Sequence, residues 1–151
     1  MIILKVGGFN DLNTSDAGGK IAFSVFFQGC GKRCPGCHNP ELQDPNGGMK
    51  IDPNEILSRI SKYRKHYEAV VFIGGEPMDQ LAALRQLLIG VVGLGLEVWL
   101  YTGYEDNEIP EDIACLCSVI VAGEYREDLR TGGFPVSSNQ KIIDNRRGQA
   151  A

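Results

Sequence analysis

Three cysteines lie close together in this sequence, and their spacing makes them the strongest candidates for chemistry. Cys30, Cys34 and Cys37 form a Cys-x-x-x-Cys-x-x-Cys pattern. Thiolates are soft ligands that suit iron–sulfur clusters, Zn²⁺ or Cu(I). A structural zinc site needs four protein ligands, whereas a [4Fe-4S] cluster held by three cysteines leaves one iron open for chemistry. The spacing favours such a cluster, and zinc stays the alternative.

The candidates for a fourth ligand are His38, Cys115 and Cys117. His38 directly follows Cys37, which is too close for both side chains to share one metal comfortably. Cys117 adjoins a predicted strand and is expected to be a small buried hydrophobic residue, while Cys115 is expected to pack in a helix. The five cysteines are an odd number and no secretion signal is visible, so the sequence argues against a disulfide framework.

Four predicted strands end in residues that are unusual for a strand end. Residues 21–27, 69–73, 97–101 and 118–121 are apolar runs typical of buried strands. They are followed, in order, by the cysteine cluster, Gly74-Gly75-Glu76-Pro77, Thr102-Gly103 and Ala122-Gly123. The carboxyl ends of parallel strands lie at one edge of a sheet, where ligands bind in α/β proteins. We expect these four strand ends to form the site.

The elements between these strands read as helices, loops and short edge strands. Asp52, Pro53 and Glu55 form a helix start with a capping box, and Ile56, Leu57, Ile60 and Tyr63 mark the buried face of that helix. Further helices are predicted over 79–92 and 111–116. An edge strand is predicted at 2–6, loops at 10–20 and 38–50, and a last short strand at 141–143.

The alternation of strands and helices predicts an α/β fold with a mostly parallel sheet. A full (β/α)₈ barrel takes about 250 residues, so we expect this chain to form an open, partial (β/α) barrel. Residues 1–151 are predicted to form a single domain, with a frayed tail over 145–151.

Composition excludes several classes of protein. Hydrophobic residues make up 43% of the 151 positions, which is typical of a globular domain. The formal net charge of -4 argues against nucleic-acid binding, which needs a basic surface. No apolar run approaches the ~20 residues that cross a bilayer, and no signal peptide is visible, so we expect no membrane partner and a cytoplasmic location.

Two stretches resemble the radical S-adenosylmethionine (SAM) superfamily: Phe-Phe-Gln-Gly-Cys-Gly-Lys-Arg-Cys-Pro-Gly-Cys-His-Asn-Pro from position 26, and Gly-Gly-Glu-Pro from position 74. Three further features resemble the activating proteins of anaerobic ribonucleoside-triphosphate reductase. They are Cys-Pro-Gly-Cys-x-Asn, Trp-Leu-Tyr-Thr-Gly-Tyr from position 99, and Ser-Ser-Asn-Gln-Lys-Ile-Ile-Asp from position 137. The resemblance covers most of residues 2–145 and implies that the open partial barrel is of the radical SAM type.

The resemblance implies a role for each site residue. Cys30, Cys34 and Cys37 would hold three irons, and the amine and carboxylate of SAM would chelate the fourth. Gly74, Gly75 and Glu76 would receive the methionyl ammonium, and Thr102 and Gly103 would lie beneath the ribose or carboxylate. Gly36 stands where many members carry an aromatic residue that meets the adenine. Adenine packing would then fall to backbone, to His38 or to Phe27, and no catalytic side chain beyond the cluster ligands is implied.

The implied activity is reductive cleavage of SAM to a 5′-deoxyadenosyl radical, which installs a glycyl radical on an anaerobic ribonucleotide reductase. The implied partners are that large glycyl-radical enzyme and a one-electron donor such as a flavodoxin. Two alternatives stay open: a radical SAM enzyme acting on a small molecule, like a carboxy-deazaguanine synthase, and a zinc-binding module without catalysis. Residues 137–140 would dock the partner, close the site, or be a plain polar loop.

Overall fold

The fold is built on one seven-stranded sheet. The computed structural model describes residues 2–30 and 40–146, so Cys34, Gly36, Cys37 and His38 lie outside the described residues. The strand order is β3-β1-β2-β4-β5-β6-β7. The strands are β1 (Leu4–Asn13), β2 (Ala22–Phe27), β3 (Met49–Ile51), β4 (Ala69–Gly74), β5 (Glu97–Thr102), β6 (Val119–Ala122) and β7 (Lys141–Asp144).

The four central strands confirm the predicted parallel sheet. β2 pairs with β4, β4 with β5, and β5 with β6, in each case parallel. These strands are rich in branched and aromatic residues because both of their faces lie against other parts of the chain. Their carboxyl ends lie at the same edge of the sheet, hereafter the site edge.

Three helices connect these strands: α1 (Pro53–Lys62), α2 (Leu81–Gly93) and α3 (Glu111–Leu116). Asp52 caps α1, since its carboxylate accepts a hydrogen bond from Asn54 N at 2.8 Å. Ile56 and Ile60 are fully buried, as predicted. Tyr63 is 49% exposed, which corrects the prediction. It lies at the C-cap of α1, where the chain leaves the helix and its side chain turns away from the core.

The edge strands differ most from the sequence expectation. β1 continues to Asn13 instead of ending at residue 6, because irregularities at Gly7 and before Asn13 let it follow β2 without perfect register. β1 is not an edge strand either, since β3 pairs with its outer side. β3 overlaps the end of the loop predicted at 38–50, and three residues are too few to show a strand period.

The two faces of the sheet are covered differently. The face toward α1, α2 and α3 carries the main core, including Phe27, Phe72 and Leu100. On the other face, a smaller cluster contains Trp99 and Val71 but no residue of the three helices. We call this second surface the helix-free face. Among residues 2–30 and 40–146, no helix has the length and apolar character that a bilayer crossing would require.

The chain after β7 stays attached to the sheet for two further residues. Asn145 N donates to Ser118 O at 2.8 Å, and its side chain donates to Ala114 O and Cys117 O. The Arg146 guanidinium lies 5.2 Å from the centre of the Trp99 ring. Residues 145 and 146 of the predicted frayed tail are therefore held in place, and residues 147–151 lie outside the described part of the chain.

Candidate functional site

Cys30 lies just beyond β2, where backbone hydrogen bonds hold the first cysteine in place. Gly29 N donates to Leu42 O at 2.6 Å, and Cys30 N donates to Gln43 O at 3.1 Å. These two bonds join the chain before position 31 to the chain after position 39. The backbone on either side of Cys34 and Cys37 is therefore fixed at the end of β2.

Gln28 holds the chain that follows the cysteine run, a role that the sequence pattern did not predict. Its side chain is 5% exposed, and its Nε2 donates to Glu41 O at 3.0 Å and to Asp44 O at 2.8 Å. Gln80 Nε2 in turn donates to Gln28 O at 3.1 Å. A buried amide must satisfy its hydrogen bonds, so Gln28 braces the segment that follows the cysteine run. The feature of the sequence that could have indicated this role is a glutamine placed between a mostly apolar strand and Gly29-Cys30.

Gly74 and Gly75 allow β4 to approach the backbone next to Cys30. Gly75 N donates to Phe27 O and Glu76 N donates to Gly29 O, both at 2.8 Å. A Cβ atom on Gly75 would collide with Gly29 O and lie 2.7 Å from Leu42 O. Gly74 has a backbone φ of 114°, which residues other than glycine rarely adopt. Close packing of two strand ends is thus one physical reason for these glycines, besides the expected approach of a ligand.

The Glu76 carboxylate is buried and accepts three hydrogen bonds from the protein. The residue is 1% exposed. One carboxylate oxygen accepts from Thr102 Oγ1 at 2.7 Å and from Met78 N at 2.9 Å, and the other accepts from Gly103 N at 2.6 Å. Burial raises the pKa of Glu76, and these hydrogen bonds oppose that rise. The carboxylate therefore ties the end of β4 to the end of β5.

Thr102 and Gly103 extend this network to β6. Thr102 Oγ1 accepts a hydrogen bond from Tyr104 N at 3.1 Å. Gly123 N, after β6, donates to Thr102 O at 3.0 Å and to Tyr104 O at 2.9 Å. The four strand ends that the sequence singled out are consequently linked along the site edge, from Cys30 through Glu76 and Thr102 to Gly123.

Residues 137–140 support the end of β6. Gln140 Nε2 donates to Gly123 O at 3.3 Å, and Asn139 Nδ2 donates to Glu124 O at 2.8 Å. Ser137 is fully buried, and its hydroxyl accepts from Arg126 N at 3.2 Å. This stretch is a hydrogen-bonded turn that holds the chain after β6, and a role in docking stays a prediction.

Cys115 and Cys117 differ sharply in their surroundings. Cys117 is fully buried in the main core, and burial raises the pKa of its thiol to about 12. Cys117 also precedes β6, at the end of the sheet opposite to the site edge, so it is not placed to bind a metal there. Cys115 is exposed, and its thiol donates to Asp112 O within the same helix. Cys117 is therefore the buried core residue that the sequence predicted, whereas the packing role expected for Cys115 is wrong, because its position on α3 faces away from the core.

The described part of the site fits an iron–sulfur cluster in its donor chemistry. Cys30 is a free, half-buried thiol at the site edge, where a thiolate is suited to iron. Within residues 2–30 and 40–146, no group of three or more His, Cys, Asp or Glu side chains could hold a metal. That result is consistent with a site whose other two predicted ligands, Cys34 and Cys37, lie outside these ranges.

Replacing Glu76 with alanine is expected to destabilise the protein even without any ligand. The buried Thr102 hydroxyl and the half-buried N–H groups of Met78 and Gly103 would lose their acceptor. A buried donor left without an acceptor costs about 1–3 kcal/mol, so the free energy of unfolding should fall by about 2–3 kcal/mol. Denaturant unfolding of the cluster-free protein measures this. Glu76→Gln keeps one acceptor oxygen and should lose less, and Glu127→Ala at an exposed position in the turn after β6 is the matched control. If the free energy of unfolding of Glu76→Ala were unchanged, the carboxylate would not stabilise the fold, and binding a ligand would be its remaining role.

Comparison with known proteins identifies a matching family and several relatives. The family described as "4Fe-4S single cluster domain" matches residues 17–143, which is most of the chain. The Salmonella typhi anaerobic ribonucleoside-triphosphate reductase-activating protein is 29% identical over 133 residues, covering 79% of this chain and 85% of that protein. The Clostridium pasteurianum pyruvate formate-lyase-activating enzyme is 29% identical over 109 residues, covering 70% of this chain and 44% of that enzyme. The chain thus corresponds to less than half the length of the second relative.

A solved structure shares the fold. The crystal structure of QueE from Escherichia coli matches with a TM-score of 0.53 and 17% identity, covering 67% of this chain and 53% of that one. At this identity the likeness concerns the arrangement of strands and helices, and it confirms the predicted α/β fold with an open, mostly parallel sheet.

The family match also distinguishes between the iron–sulfur cluster and the zinc site, both of which the cysteine spacing allowed. It extends from residue 17 to residue 143 and so includes both the cysteine run and the network along the site edge. A [4Fe-4S] cluster is therefore favoured over zinc, and SAM accompanies it in this class of activating enzyme. The chain belongs to the 4Fe-4S single cluster domain family, as a radical SAM protein with a [4Fe-4S] cluster and SAM as its cofactors.

Proposed function

We propose that this chain activates an anaerobic ribonucleotide reductase by installing a glycyl radical on it. The observation that carries the proposal is the extent of the match. The similarity runs over 85% of a reductase-activating protein but over only 44% of a pyruvate formate-lyase-activating enzyme. The Ser-Ser-Asn-Gln-Lys-Ile-Ile-Asp stretch, which resembles the first family, also forms the brace at the end of β6.

The residues of the chain hold and orient the reactants. Cys30, Cys34 and Cys37 would bind the cluster, which when reduced supplies the electron that splits SAM into methionine and a 5′-deoxyadenosyl radical. Gly74 and Gly75 would present backbone to the methionyl group, alongside Thr102 and Gly103. Glu76 fixes these backbone segments relative to one another, because its carboxylate spans β4 and β5. A rigid frame matters here because a misplaced radical reacts with the wrong hydrogen donor.

The helix-free face supports a protein substrate. Near the site edge, Phe26, Ile73 and Tyr101 are only half-buried on this face. Phe134 is 54% exposed and rests against Trp99 and Tyr101, with both ring-centre distances at 6.5 Å. A partner that covers this apolar surface would exclude water from the radical and bring one glycine to it.

Electron paramagnetic resonance tests the proposal directly. The reconstituted protein is reduced with dithionite and mixed, without oxygen, with SAM and a candidate anaerobic reductase. We expect a glycyl doublet on the reductase and one 5′-deoxyadenosine per radical formed. Replacing the acceptor glycine of the reductase with alanine should remove the doublet without preventing complex formation.

A small-molecule reaction is the competing outcome. If the protein alone turned over a small molecule many times, and no candidate reductase gained a glycyl signal, the activase proposal would fail. The Salmonella typhi and Clostridium pasteurianum relatives are activating proteins, so they do not favour that alternative. The electron donor, with a flavodoxin as the expected class, and the cytoplasmic location stay predictions.

A further inference from the structure

A groove of about 600 Å³ lies at the end of the sheet opposite to the site edge. We call it the basic groove, and its lining includes Phe9, Leu12, Ile21, Arg59, Tyr63 and His66. Ile21 directly precedes β2, whereas Cys30 follows β2, so at about 3.3 Å per strand residue the two ends are roughly 20 Å or more apart. The basic groove is therefore separate from the candidate functional site.

Large apolar side chains are exposed in the basic groove. Leu12 is 65% exposed, Tyr63 is 49% exposed and Ile21 is 40% exposed. They come from β1, from the end of α1 and from the residue before β2, so three separate segments contribute to one surface. Single exposed apolar residues are common, but a group of them rimmed by polar residues is typical of a protein interaction site.

Two cations lie over aromatic rings that line the groove. The Arg59 guanidinium lies 4.9 Å from the centre of the Phe9 ring, and Lys62 Nζ lies 5.4 Å from the centre of the Tyr63 ring. Neither of them, nor Lys65, forms an ion pair with a carboxylate anywhere in residues 2–30 and 40–146. Arginine and tyrosine are enriched at protein interfaces, especially among the residues that contribute most of the binding energy.

The charge of this region contrasts with that of the whole chain. Residues 59–68 contain four Lys and Arg but one carboxylate, Glu68, in a chain of formal net charge -4. Glu68 is itself occupied, since its Oε1 accepts from Ile21 N at 3.1 Å. Asp11 also lines the groove, next to the Tyr67 hydroxyl, which donates to Asp11 O. Arg59 in the lining and Lys62 beside the Tyr63 ring nevertheless outnumber Asp11, the one carboxylate in the lining.

We propose that the basic groove docks an acidic segment of a partner protein, which places an aliphatic or aromatic side chain among Leu12, Ile21 and Tyr63. Carboxylates of that segment pair with Arg59 and Lys62, neither of which forms an ion pair within the described ranges. The site edge stays free, so a partner bound here does not obstruct the cluster end of the sheet. This inference concerns binding alone and does not depend on the proposed radical chemistry.

Fluorescence anisotropy with a defined probe tests the inference. The probe is a labelled Asp-Glu-Leu-Glu-Phe-Asp-Glu peptide, compared with a version in which lysine replaces every acidic residue. We expect the acidic peptide to bind, to weaken as salt is added, and to bind the R59E/K62E double variant about tenfold more weakly, because two attractions become two repulsions. The K50E/R130E double variant makes the same change of charge at exposed positions outside the groove and should bind like the wild type.

A second double variant tests the proposed apolar contact with Leu12 and Ile21. L12S/I21S should weaken the acidic peptide while leaving the salt dependence in place, since only the anchor surface is lost. Circular dichroism checks that each variant is folded, which is expected because the changed side chains are exposed or half-exposed. Equal binding to the R59E/K62E and K50E/R130E variants, or no binding of the acidic peptide, would overturn the proposal. Binding of ATP or of phosphatidylglycerol vesicles through Arg59, without peptide binding, would overturn it as well.

Discussion

Replacing Cys30 with alanine is expected to abolish cluster assembly and SAM cleavage together. Three thiolates are the protein's complete set of predicted ligands, and the loss of one exposes an iron to water and to competing ligands. Cys30 is held by backbone bonds to Gln43 and lies beside Gly29, so no neighbouring described side chain is placed to substitute for it. Anaerobic iron–sulfide reconstitution followed by an absorption spectrum measures the first loss, and 5′-deoxyadenosine formation measures the second.

Cys115→Ala and Cys117→Ala are the matched controls for this experiment. Both should assemble the cluster, since Cys115 is exposed within α3 and burial keeps the Cys117 thiol protonated. Cys117→Ala should instead lose some stability through the loss of a buried side chain. Loss of the cluster in either control, or its retention in Cys30→Ala, would contradict the assignment of Cys30, Cys34 and Cys37. A colourless protein that takes up zinc in stoichiometric amount would contradict the cluster itself.

Replacing Gly75 with valine is expected to damage the site edge before any ligand is bound. The new side chain would collide with Gly29 O and Leu42 O, and both are backbone atoms that cannot move without displacing Cys30. Overpacking of this kind costs about 1–3 kcal/mol, and backbone contacts place Gly75→Val toward the upper part of that range. We expect a lower free energy of unfolding for the cluster-free protein, and poor cluster assembly after reconstitution.

Gly93→Val separates this effect from a general intolerance of valine. A Cβ at Gly93 meets nothing within 4 Å, so this change at the end of α2 should leave both stability and cluster assembly close to wild type. If Gly75→Val kept its full stability without ligands and lost only SAM binding, the glycine would serve the approach of the methionyl group alone. That result would contradict a role for Gly75 in the packing of the two strand ends.

The central part of the fold was predictable from the amino-acid sequence alone. Apolar runs of strand length alternate with helical periods, and short-range patterns of this kind predicted β2, β4, β5, β6 and α3 almost to the residue. The sequence also predicted that these strands run parallel, and with that the single edge at which Cys30, Glu76, Thr102 and Gly123 lie. These features are readable because each depends on neighbours in the chain or on a general rule of topology.

The sequence could not predict the pairings that depend on distant partners. β3 is three residues long and exists because β1 offers it an edge, and β1 extends past Gly7 because β2 supports its irregular register. Tyr63 continues the apolar period of α1, yet it turns outward because the helix ends there and the basic groove begins.

The contacts of Glu76 also depend on tertiary structure, while its predicted contact with the methionyl ammonium stays a prediction. A carboxylate after two glycines suggests a partner for a cation, and the residue types alone give no sign that Thr102, Gly103 and Met78 already satisfy it. Those donors come from the following turn and from the next strand, so they converge on Glu76 only once β4 and β5 are paired. The chemistry of the site was readable from residue types, whereas the frame that positions it depends on which buried groups satisfy one another across the sheet.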